Sequence, residues 1–154
     1  MIPILTIIVL IALDQLTKYI AVTNLQPIHK IVLINGFFNL TYIENRGAAF
    51  GAMQGARWFF VILAAAVIIA GGIYYARMPK TKNTLLLRIS MLLIGGGTIG
   101  NVIDRLFRTY VVDFLDFIIF GYDFPVFNLA DIFIVVGTGL LMIYILRWET
   151  ERNK

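Results

Sequence analysis

Aspartate is scarce in this chain and unevenly placed. Six aspartates occur in 154 residues, and five of them, Asp104, Asp113, Asp116, Asp123 and Asp131, fall between positions 104 and 131. The stretch VVDFLDF (111–117) sets Asp113 and Asp116 among valine, leucine and phenylalanine. Two carboxylates held close together cannot both ionise easily. One keeps a proton, so the pair can serve as base toward water and acid toward a carbonyl at once. Asp113 and Asp131 are candidates for such a pair, although their spacing alone does not bring them into contact.

Other chemistries lack their residues. There is no cysteine, hence no disulfide, no thiolate nucleophile and no Cys-ligated metal. The single histidine, His29, and the single serine, Ser90, fall on opposite sides of a bilayer in the topology below, which argues against a Ser-His triad. An HExxH zinc site needs two histidines, and no glycine-rich nucleotide-binding sequence occurs. No metal and no cofactor are expected.

The elements that must position these residues are set by hydropathy. The chain is 60% hydrophobic and 14% charged, with mean hydropathy +0.86; soluble domains are less apolar and more charged. The length suggests one domain, 1–154, of a mainly α membrane protein. Four transmembrane helices are expected, at about 2–22, 58–75, 85–106 and 128–148, each long enough for the ~30 Å hydrocarbon core. The first lacks a basic n-region and an A-x-A site and carries Asp14, Gln15 and Lys18, so it reads as a retained helix and not as a cleaved leader. The small residues GGGTIG in the third span allow close helix contact.

The densest cationic cluster, Arg77, Lys80, Lys82 and Arg88, lies between spans two and three. The positive-inside rule puts it in the cytoplasm, with both termini, and turns loops 23–57 and 107–127 outward. The net charge of +4 therefore reads as topology charge. Nucleic acid is not expected, since no basic run is interleaved with stacking aromatics. The first outer loop contains KIVLINGFFNLTYI, two β-prone runs around Asn35-Gly36, which suits a two-residue type I′ hairpin in a small extracytoplasmic β-sheet.

Each candidate residue also has a plain structural reading. Asp131 fits the third helical position behind Asn128 as N-cap. Asp113 fits an interfacial acid paired with Arg108 or Arg105. Asp104 and Arg108, like Asp14 and Lys18, are spaced i,i+4 for ion pairs. Asn45 followed by Gly47 fits a turn. Asp116 and Asp123 read as solvated loop acids.

The ordered blocks LDQLTK (13–18), NRGAAFG (45–51), GNVIDR (100–105), VVDF (111–114) and FNLAD (127–131) closely resemble the bacterial lipoprotein signal peptidases, signal peptidase II, over essentially the whole chain. The resemblance implies an aspartic endopeptidase of the bacterial cytoplasmic membrane whose dyad is Asp113 and Asp131. Its substrate would be a prolipoprotein cut before a diacylglyceryl-modified cysteine, and globomycin-type cyclic peptides would inhibit it. Asn45, Gly47, Ala48, Asn101, Arg105 and Asn128 would meet the substrate or the dyad. Asp14, Lys18, Asp104 and Ala130 would support the site, with Asp104 orienting Arg105. Membrane lipid is the expected surround and a monomer the expected state. The rival reading is a small proton-coupled transporter or channel subunit, because intramembrane acids with a basic partner also mark ion pathways.

Overall fold

A computed structural model describes residues 1–47 and 52–152, with side chains through Trp148. Its elements in chain order are α1 (Ile2–Leu25), β1 (Lys30–Ile34), β2 (Phe38–Asn45), α2 (Arg57–Arg77), α3 (Leu85–Phe107), β3 (Val111–Ile119), β4 (Tyr122–Asp123) and α4 (Leu129–Arg152). All four helices are long and apolar enough to cross a membrane. Helices occupy the four expected stretches; the first three run one to a few residues beyond the expected bounds, and α4 begins one residue later, at Leu129, and continues to Arg152.

The apolar residues face outward. α2 buries no residue at all; Trp58, Phe59, Ile62, Leu63, Val67, Ile69 and Ile73 are exposed, while Phe60 faces the bundle half-buried. A helix that is apolar all round, yet exposed, has lipid as its solvent. The bundle buries few apolar side chains, among them Leu25 and Leu87, and an unusual number of polar ones: Asp14, Lys18, Ser90, Asn101, Asp104 and Asn128 are all inaccessible or nearly so.

Local sequence sets the helix ends. Pro3 occupies the first turn of α1, where its missing N–H costs nothing. α2 stops at Arg77 because Met78 precedes Pro79 and is driven to an extended conformation, φ −72° and ψ 134°. α3 stops where the Arg108 N–H closes on the Asp104 carbonyl and Thr109 takes the left-handed φ of 72°.

α3 lies against the other three helices, and two of its glycines permit the approach. A Cβ on Gly100 would sit 2.5 Å from Asp14 Oδ2, and one on Gly97 would strike the Ala130 carbonyl oxygen. The small residues of the third span thus seat α1 and α4 on α3, as expected.

The sheet is larger than expected. β1 and β2 come from the first loop, but β3 and β4 come from the second, giving one antiparallel order β1-β2-β3-β4. The run VVDFLDFII packs Val112 and Phe114 against Ala21, Leu25 and Tyr42, so burial of one face draws it into the sheet. The hairpin turn also differs from type I′. Asn35 keeps a negative φ, only Gly36 is left-handed at φ 71°, and three residues, 35–37, separate the paired Ile34 and Phe38.

Candidate active site

Lys18 is the hub of the buried polar network. Its Nζ lies 2.9 Å from Asp14 Oδ2 and 3.1 Å from Asp104 Oδ2, and donates to Asn101 Oδ1 at 2.8 Å. An ammonium has three donors, and all three are used. Arg108 pairs with Asp104 from the partly exposed edge, so two carboxylates face two cations and the buried cluster is charge-balanced. The i,i+4 pairs expected at Asp14–Lys18 and Asp104–Arg108 are both present.

The first turn of α4 is fixed three times. Asn128 Oδ1 accepts the Asp131 N–H at 3.1 Å, and Asp131 Oδ2 accepts the Asn128 N–H at 3.1 Å, a reciprocal capping box. Asp14 Oδ1, reaching from α1, accepts the Ala130 N–H at 3.0 Å. Helix N-termini leave such N–H groups unpaired and favour nearby negative charge. Ala130 itself is fully buried beside Gly97 and Gly100, and a larger side chain has no room there.

β3 delivers Asp113 to the same place. Asp104 Oδ2 accepts the Val112 N–H at 3.1 Å, tying the start of β3 to α3. Further along, Phe114 and Leu115 donate to the Phe127 carbonyl and Phe127 donates back to Leu115, holding the segment that leads into α4 against β3. Asn128 then donates to Asp113 Oδ1 at 2.6 Å and Asn101 donates to Asp131 Oδ1 at 2.8 Å. Asn128 also donates to Asn101 Oδ1 at 3.2 Å, so the two carboxylates are joined through two amides. Asn45 on β2, which pairs with Val111 two residues beyond the Ile43 partner of Asp113, reaches diagonally and donates to Asp113 Oδ2 at 2.8 Å.

Asp113 and Asp131 line one cavity of about 510 Å³, together with Asn45, Asn101, Arg105 and Gly47. Its remaining wall is largely apolar, including Ile43, Phe124, Ile134 and Val135. Asp113 is only 2% exposed. Burial first, and the neighbouring Asp131 second, push its carboxyl up to about 7, against the pull of the Asn45 and Asn128 hydrogen bonds. A buried acid still protonated near neutrality, beside a second carboxyl on an apolar cavity with a few convergent polar groups, is equipped for acid–base chemistry. Among the described residues no three His, Cys, Asp or Glu side chains gather to hold a metal ion.

Several expectations change. Asp113 takes amide partners, while Arg108 goes to Asp104. Asp104 does not orient Arg105; its oxygens are used by Lys18, Arg108, Gln15 and the Val112 N–H. Arg105 instead donates to the Gly47 carbonyl at 3.1 Å and lies over the Phe60 ring at 5.0 Å. Asn45 serves the turn as well as the acid, since its Oδ1 accepts the Gly47 N–H. Asp116 is not a solvated loop acid. It is 7% exposed on β3 and accepts from Thr41 at 2.6 Å, Asn39 and Lys30. Its position opposite Asn39, set by a register invisible in the sequence, accounts for this. Asp123 is exposed. Ala48 lies outside the described residues. Gln15, which the sequence marks only as a polar residue of an apolar helix, bridges Asp14, Asp104, the Gly100 carbonyl and Arg108.

The sequence model of the family described as Signal peptidase (SPase) II matches residues 6–147. The chain belongs to the signal peptidase II family. It is 46% identical over 152 residues to the lipoprotein signal peptidase of Clostridioides difficile (strain 630), covering 98% of this chain and 99% of that one. It is 44% identical over 151 residues to the lipoprotein signal peptidase of Symbiobacterium thermophilum, covering 98% of each. A solved bacterial membrane enzyme structure, obtained by the in meso method at 2.3 Å resolution, superposes with a TM-score of 0.86 at 35% identity, over 99% of this chain and 91% of that one. A second, at 1.9 Å resolution, gives 0.81 at 36% identity, over 94% and 92%. This signal peptidase II chain is thus a multi-pass bacterial membrane peptidase, mainly helical, with a small antiparallel sheet.

Proposed function

We propose that the chain acts as one aspartic endopeptidase unit, a monomer, that cuts diacylglyceryl-modified prolipoproteins just before the lipidated cysteine. The observation that carries this reading is the convergence of Asp113 and Asp131 on one cavity, linked through Asn128 and Asn101. One carboxylate of the pair removes a proton from water, and the water oxygen attacks the scissile carbonyl. The other, protonated, gives its proton to the carbonyl oxygen. Collapse of the tetrahedral intermediate re-forms the carbonyl, breaks the C–N bond and passes a proton to the amine of the departing cysteine. Arg105, Asn45 and Gly47, which line the cavity, would meet the substrate backbone, and Ala48 would do so by the family resemblance. The apolar side of the cavity suits the signal segment and acyl chains. Globomycin-type cyclic peptides would compete for the same cavity.

The cationic loop between α2 and α3 favours a cytoplasmic location for that end and for both termini. The sheet and the dyad then lie at the outer face, where water reaches a bond presented from the bilayer. The testing experiment is cleavage of a diacylglyceryl-modified prolipoprotein in detergent by the wild type, Asp113→Asn and Asp131→Asn. Cleavage by the wild type alone, with all three folded, supports the dyad. Cleavage surviving in either variant sinks it, and ion flux without cleavage would restore the transporter reading.

A further inference from the structure

At the far end of the bundle a second hollow, of about 220 Å³, opens between the turn that precedes α3 and the last turns of α4. It is lined by Lys82, Asn83, Leu86, Tyr144, Arg147 and Trp148. Arg147 lies sixteen residues beyond Asp131 on α4, about 24 Å along the helix axis. The hollow is therefore separate from the peptidase site and sits at the opposite membrane boundary.

Three features distinguish it from a loose set of topology charges. Its two cations come from different elements, so the fold and not local sequence brings them to one hollow. Among the described residues neither Lys82 nor Arg147 forms an ion pair, and no acid lines the hollow. The neighbouring Arg88, by contrast, is engaged by the Tyr75 hydroxyl at 3.2 Å and by its ring. Tyr144 and Trp148 stack with ring centroids 6.4 Å apart, the type of pair that settles at the headgroup level of a bilayer.

We propose that this hollow binds the phosphate of an anionic phospholipid headgroup. A guanidinium presents a planar fork to phosphate oxygens, an ammonium adds a point charge, and the Asn83 amide supplies a further donor. Leu86, Tyr144 and Trp148 give the glyceryl unit and the first methylenes an apolar wall. The volume lies below that of drug-sized pockets, which suits a phosphate with its glyceryl arm. Two basic side chains at a membrane surface favour an anionic lipid by on the order of tenfold.

The test uses the full chain in phosphatidylcholine vesicles that contain a minor fraction of phosphatidylglycerol. Trp58, the other tryptophan, is replaced by phenylalanine so that fluorescence reports Trp148. Brominated acyl chains, placed on either lipid, quench it on contact. Quenching by brominated phosphatidylglycerol should exceed that by brominated phosphatidylcholine at equal fraction by on the order of tenfold in apparent affinity. Lys82→Gln with Arg147→Gln should abolish the excess while prolipoprotein cleavage in detergent is unchanged. Arg77→Gln with Lys80→Gln removes the same charge outside the hollow and should keep the excess. Equal loss in both double variants would mean bulk surface attraction and overturn the site, as would the absence of any excess. Displacement by millimolar inorganic phosphate would assign the hollow to a soluble anion and overturn the lipid assignment.

Discussion

Lys18 and Asn101 are 2.8 Å apart, Nζ to Oδ1, and that contact decides how Asp131 is held. An ammonium can only donate, so the Asn101 oxygen must face it and the Asn101 N–H must face Asp131. Asn101→Leu keeps the Asp14–Lys18–Asp104 ion cluster but removes the donor to Asp131. The expected result is a loss of about 10²-fold or more in kcat/KM, with the folded helices retained by circular dichroism. Cleavage at wild-type rates would show that Asn101 does not serve the dyad.

Lys18→Met leaves Asp14 and Asp104 in the bundle with Arg108 as their one remaining cation. Breaking a buried ion cluster by removing one partner costs about 3–5 kcal/mol. Lys18→Met is expected to melt far below the wild type in detergent. Lys18→Met with Asp14→Asn, which restores charge balance, should recover part of the loss.

Gly100→Ala would put a methyl 2.5 Å from Asp14 Oδ2, whereas Gly95 has nothing within 4 Å of such a methyl. Overpacking costs about 1–3 kcal/mol, and alanine in an open helical position gains up to about 1 kcal/mol. Thermal unfolding should therefore move down for Gly100→Ala and hold or rise for Gly95→Ala. Equal shifts would contradict the close seat of α1 on α3.

The Asp113 carboxyl stands at about 7 against an ordinary 3.8. Above that value the dyad loses its proton and its acid, so kcat/KM should fall as pH rises through about 7; the titration belongs to the pair. Stability follows the same shift. Between 3.8 and about 7 the folded chain keeps a proton that the unfolded chain has released. The resulting contribution is complete at low pH and is lost as pH rises through the folded value. Asp113→Asn should be inactive throughout and should flatten the dependence of melting temperature on pH in that window.

Asp116 differs from Asp113 despite sharing the run VVDFLDF. Burial raises its carboxyl, but hydrogen bonds from Thr41 and Lys30 outweigh burial and hold it below the ordinary range. Its stabilisation is present above the unfolded value and is lost as pH falls through the folded one. Asp116→Ala should cost about 1–3 kcal/mol through its unpaired neighbours and leave cleavage within a few-fold of wild type in the fully folded fraction. Loss of cleavage equal to that of Asp113→Asn would put Asp116 in the catalytic machinery.

The sequence by itself determined the class and the outline. Long apolar runs can satisfy their backbone groups in lipid only as helices, so the four spans were readable from hydropathy. The i,i+4 spacings placed Asp14 with Lys18 and Asp104 with Arg108, because helix geometry is local. Asn128 as cap of Asp131 was legible for the same reason. The blocks around Asp113 and Asp131 marked the family.

Only the tertiary structure decided what depends on register and on packing between elements distant in sequence. The second outer loop became β3 because burial of Val112 and Phe114 against α1 and β2 overrode the expectation of a loop. That register set Asn45 beside Asp113 and Asn39 opposite Asp116, which gave two similar acids different surroundings. Gln15 and Phe60 entered through contacts across helices, which no spacing along one helix encodes. The amide chain from Lys18 through Asn101 and Asn128 to the two carboxylates joins α1, α3, β3 and α4, and it exists only once the glycines of α3 have let those elements close.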